Sequence, residues 1–186
     1  MKNFDFIKEL AEVIPAFHQL HAYCDKAEIF QKAFPEESAA NARKALEWLV
    51  KNHLAMANVT LAPHETLNNM LKRPQIDAFI NEDWEFEQNM RMVKKIGNYA
   101  AHTGAQQVKA NDAFICLRAL FYVATGFLYR WQAIRKMLAF DATLIPQDFT
   151  QIHASDNSEP TVSPDLTDHV SSEAINHPEP PKSQPS

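Results

Sequence analysis

Glycine is nearly absent: the 186-residue chain has three, at 97, 104 and 126. A Walker loop or a dinucleotide fingerprint needs several glycines in close succession, so a phosphate cradle of either type is excluded. The Gly-x-Ser-x-Gly elbow of serine hydrolases is missing too. Cys24 and Cys116 are too few and too far apart for a zinc or redox motif. Each stands among apolar residues, as buried thiols of a cytosolic protein do. The eight histidines contain no His-Glu-x-x-His pair. His18 and His21 lie three apart but without a carboxylate or cysteine cluster, so they read as surface residues. Neither a metal nor an organic cofactor is expected.

Long apolar runs are lacking as well. The most apolar one, Ala113 to Leu128, is interrupted by Arg118 and is short for a bilayer, so it reads as a core helix. The opening Met-Lys-Asn-Phe-Asp-Phe has an early acid and no apolar h-region, unlike a signal peptide. A cytoplasmic protein without a membrane partner is expected. No tandem repeat is visible, and no stretch alternates convincingly as a strand.

Charge divides the chain in two. Residues 141–186 hold eight acids and one base, Lys182, leaving 15 of the 23 acids and 17 of the 18 bases to residues 1–140. The body is mildly basic and the tail strongly acidic, and the net charge of −5 describes neither. Such a body is compatible with nucleic-acid contact but does not by itself argue for it. Seven of the eleven prolines also fall after 140. With no helical period there, burial cannot offset ordering entropy, and 141–186 is expected to be a disordered tail or linker.

Residues 1–140 read as an all-α bundle of about five to six helices, from apolar residues spaced three and four apart. Phe4, Ile7, Leu10, Ala11 and Ile14 mark a first helix, and Phe17, Leu20, Cys24 and Ala27 a second, with Pro15 starting it or kinking the first. Pro35-Glu-Glu opens a third, to about residue 55, with Ala39, Ala42, Leu46, Leu49, Val50 and Leu54 inside and Trp48 half-buried. Two short helices are expected near 64–71 and 75–80. A longer one, capped by Asn81 or Asp83, runs to about 102 with Trp84, Phe86 or Met90, Val93, Ile96 and Ala100 buried. A last helix, capped by Asn111 or Asp112, runs to about 138 with Trp131 and Met137 inside.

The stretch Arg91-Met-Val-Lys-Lys-Ile-Gly-Asn-Tyr-Ala-Ala-His-Thr-Gly104 carries the candidate site. Gly97 reads as a point of close backbone approach and Gly104 as a helix stop. Asn98 and His102, four apart, would share one helical face. Arg43 and Glu47 are likewise four apart on the third helix and could meet that face. Lys94 and Lys95 read as a wet face, and Arg91 lies nearly two turns before Asn98.

Taken together, Asn-Phe-Asp-Phe at 3–6, Ala27-Glu28, Ala42-Arg-Lys-Ala-Leu-Glu47 and above all Ile96-Gly-Asn-Tyr-Ala-Ala-His102 resemble the helical domain that precedes the nuclease and motor regions of type I restriction enzyme R subunits. That domain is similar to the HEPN superfamily, compact helical bundles that include RNA-cleaving toxins and defence effectors. The resemblance covers about residues 3–138 and implies a HEPN-like helical bundle. It implies a metal-independent ribonuclease chemistry in active members, with histidine moving the proton of a ribose 2′-hydroxyl and arginine stabilising the phosphate charge. Here Gly97 stands where the motif's arginine would directly precede Asn98. The resemblance then implies a non-catalytic nucleic-acid- or partner-binding module of a restriction or defence system, with Arg43, Glu47, Arg91, Lys94, Lys95, Asn98 and His102 as binding residues. The alternative is an endoribonuclease using His102 and Asn98 with Arg43, or Arg91, as a displaced arginine. RNA or DNA, restriction-system subunits, or a second copy in a homodimer are the partners implied.

Overall fold

The structure, a computed structural model, describes residues 2–101 and 107–146. His102, the expected stop at Gly104, and the tail from 147 onward lie outside the described residues. Among the described residues the protein is all-helical: α1 Asp5–Val13, α2 Phe17–Phe30, α3 Pro35–Met56, α4 Leu67–Met70, α5 Pro74–Ile80, α6 Trp84–Ala101 and α7 Ala110–Arg130, followed by a 3₁₀ turn at Ala142–Leu144. Pro15 lies in the turn between α1 and α2, where the Phe17 amide donates to the Ile14 carbonyl. Pro35 opens α3, with its fixed φ suited to a first turn that also carries Glu36 and Glu37 against the positive helix end.

α3 is the axis of the bundle, packed on α2, α6 and α7, while α7 also packs on α6 and α1 on α2. The stripe expected on α3 is buried in full, and Trp48 is half-buried. α7 passes the length and apolarity that a membrane span needs, and burial accounts for that composition: Leu117, Leu120, Val123, Ala124 and Phe127 are all sealed in the core. The two thiols are buried, and burial pushes that of Cys116 up to about 12.

Two glycines set the helix spacing. A methyl group on Gly126 would stand 2.9 Å from Phe86 Cδ2, so α7 and α6 close on one another there. On Gly97 it would overlap Arg43 Cβ and lie 3.0 Å from the Ala39 carbonyl oxygen, so α6 seats directly on α3.

Several expectations need correction. Trp84 is 70% exposed, and Phe86, two residues later, takes the inward place. Asp83 does cap α6: one carboxylate oxygen accepts from the Phe86 amide (2.9 Å) and the other from Arg130 (2.7 Å), whose guanidinium lies 4.1 Å from the Phe86 ring centre. Asp112 works from inside α7, accepting from the Lys109 amide. α7 stops at Arg130, not 138, because Gln132 turns left-handed (φ 60°) and the Ala133 amide reaches back to Leu128. Met137 is consequently 39% exposed.

Residues 141–146, expected in the tail, are packed on the body. The Asn3 side chain donates to the Asp141 carbonyl (2.9 Å) and accepts from its amide (2.8 Å). Phe140 meets Phe114 and Phe121, and Ile145 is buried.

Candidate functional site

The close contact at Gly97 positions the polar seam between α3 and α6. With no side chain at 97, the Arg43 stem lies flat on α6, and its Nε donates to Asn98 Oδ1 at 2.8 Å. The far end of Arg43 approaches Glu47 one turn along α3, Nη1 to Oε2 at 3.7 Å. Glu47 Oε1 accepts from Lys51 at 2.7 Å, one further turn on. The result is a polar chain, the neutral amide of Asn98 followed by alternating charges on Arg43, Glu47 and Lys51, with the Arg43 and Glu47 side chains 29% and 26% exposed. Such partly wet pairs position side chains more than they stabilise the fold.

The seam unites Arg43, Glu47 and Asn98, whose spacings place them only on faces of two separate helices. Among the described residues it does not include Arg91, Lys94 or Lys95. Arg91 projects outward and pairs with Glu87 on its own helix, using Nε and Nη2. Lys94 donates to Asn68 Oδ1 of α4 at 2.7 Å. These two line a hollow of about 140 Å³ with Leu71, Lys72, Asp77 and Met90. Lys95 faces a different hollow, between α6 and the start of α7, beside Met92, Tyr99 and Val108. His102 lies outside the described residues.

No protein-family model, curated protein or solved structure matches the chain.

Chemically, the seam offers a guanidinium already engaged by an amide and facing a carboxylate. Among the described residues Arg43 keeps donors for a further acceptor at the partly exposed end, and Asn98 keeps its amide donors. No group of three or more histidine, cysteine or acidic side chains among the described residues is arranged to hold a metal. Sequence reading missed two polar partners: Lys51 follows Glu47 by four and was legible by that spacing, whereas Asn68 reaches Lys94 from a separate helix.

Proposed function

We propose that residues 1–140 form a non-catalytic binding module of a bacterial restriction or defence system, HEPN-like in kind, which receives a nucleic acid or a partner subunit at the α3–α6 seam. One observation carries it: the place of a catalytic arginine before Asn98 is taken by Gly97, and the helix contact there leaves no room for a side chain. An arginine at 97 could stabilise phosphorane charge only if α6 withdrew from α3. The guanidinium at the seam, that of Arg43, is tied to Asn98 and Glu47. A cytoplasmic setting and pairing of two copies belong to the same reading.

A competing reading, a metal-independent endoribonuclease, draws on the same contact from the other side: Arg43 reaches Asn98, four residues before His102. End-labelled RNA incubated with the full chain and chelator separates the two. Intact RNA, with binding that weakens in Arg43→Ala, supports the module. Cleavage that disappears in His102→Ala overturns it.

A further inference from the structure

We infer that the face shared by α2 and α3 is a contact surface for single-stranded nucleic acid, with Tyr23 and Trp48 receiving bases and Lys44 and Lys51 receiving phosphates. The inference rests on the nucleic-acid arm of the proposed function and extends the same seam, since Glu47 belongs to both. A shallow hollow of about 290 Å³ is lined by Gln19, Tyr23, Lys44, Glu47, Trp48 and Lys51. Trp48 is half-buried and braced by the Phe17 ring at 5.7 Å. The Tyr23 hydroxyl accepts from Gln19 Nε2 at 3.0 Å. The Trp48 ring is thus held in place before a partner arrives, which lowers the entropy lost on stacking, and Tyr23 stands beside it across the hollow.

The charge fits a polyanion. Over residues 43–51 the ridge carries Arg43, Lys44 and Lys51 against Glu47 alone. Lys44 is exposed and makes no ion pair among the described residues. Among the described residues Lys51 is held only by a partly exposed i,i+4 contact with Glu47, which a phosphate displaces at small cost. Lys44 and Lys51 are two helical turns apart, roughly 10 Å, a span of a few nucleotides. An acidic peptide could use the two lysines, but it would leave the two rings without a role.

The test is fluorescence anisotropy of labelled oligo-uridine RNA and oligo-thymidine DNA with the full chain from 50 to 200 mM salt. Lys44→Ala/Lys51→Ala should lower the slope of log affinity against log salt by about 1.4. Tyr23→Ala and Trp48→Leu should each weaken binding about tenfold with the slope kept, Tyr23→Phe should restore most of it, and thermal melts must show the variants folded. Equal binding by the folded variants and the parent overturns this surface while leaving the nucleic-acid reading intact. Absence of binding to either oligomer at the lowest salt overturns both. Loss confined to the lysine variant, with polyglutamate competing as well as the oligomers, assigns the face to an acidic peptide and also overturns it.

Discussion

Arg43 Nε donates to Asn98 Oδ1 at 2.8 Å across the bare backbone of Gly97. The hydrogen bond and the glycine are one feature, because the guanidinium reaches the amide only while α3 and α6 stay in contact. Alanine at 97 has the better helix propensity, by about 1 kcal/mol. Its methyl group, however, would meet Arg43 Cβ and the Ala39 carbonyl, neither of them the far end of a flexible chain. Overpacking of this kind costs about 1–3 kcal/mol and wins. Gly97→Ala is therefore expected to lower the urea midpoint, and a more stable variant would show that the helices can part freely.

The pairing itself is measurable by a double-mutant cycle over Arg43→Ala and Asn98→Ala. A charge-assisted hydrogen bond between partly wet partners predicts a coupling of roughly 0.5–1.5 kcal/mol, below that of a buried pair. The same cycle over Arg43 and Glu47, separated by 3.7 Å, should give less. Equal couplings would mean that net charge, not the directed bond to Asn98, orients the arginine.

These elements were legible to different degrees. Ile7 with Ala11, and Leu46 with Leu49 and Val50, repeat at helical spacing, so their helices and inward faces follow from periodicity. The end of α7 did not, because glutamine rather than glycine adopts the left-handed turn at 132, a conformation that composition does not announce. Trp84 is apolar but sits about half a turn around α6 from Phe86, and only one of them can face α7. Within the site, Arg43 and Asn98 could be nominated from two separate four-residue spacings. The Asn3 clasp on Asp141 spans 138 residues of sequence, and no local pattern encodes it. Composition therefore placed 141–146 in the tail although Ile145 and the Asn3 side chain anchor it.

His53 should make the fold sensitive to mild acid. Trp131 Nε1 donates to His53 Nδ1 at 3.3 Å, and the Phe79 ring lies 4.0 Å away, centre to centre. Burial lowers the His53 pKa below the usual 6.5, against a smaller upward pull from the Gln75 backbone. His21 is lowered too, chiefly by burial, with Asp25 and Asp5 opposing. A depressed histidine pKa means the unfolded chain binds the proton more readily. The stabilisation is whole above about 6.5 and is lost as pH falls from there toward the folded value. Urea melts from pH 7.5 down to 5 should show this decline. His53→Asn, which keeps an acceptor near the indole, should flatten it in part. A parent protein equally stable across that range would contradict the assignment of a neutral imidazole.

Glu28 should act with the opposite sign. The residue is fully buried, one oxygen accepting from the Asn3 amide (2.9 Å) and side chain (2.7 Å), while Oε2 is sealed with no close hydrogen-bond donor among the described residues. Burial raises its pKa above the usual 4.5; the Asn3 bonds and the Phe4 backbone pull it down, and Asp25 adds a small upward push. Lys2, on the opening segment, is engaged by Asp25 at 2.7 Å, and buried Cys24 lies one turn before Glu28 on α2. With the folded value above the unfolded one, the fold prefers the protonated acid. That preference contributes fully below the unfolded value and fades as pH rises through the folded one. Glu28→Gln keeps an oxygen for Asn3 and removes the charge, so its advantage over the parent should grow from pH 5 to pH 8. Because Asn3 also holds Asp141, hydrogen exchange at residues 141–146 should slow in the variant at the higher pH. A thermal-midpoint gap that shrinks with rising pH would instead show an ionised carboxylate, stabilised by the two Asn3 donors, as the form the fold selects.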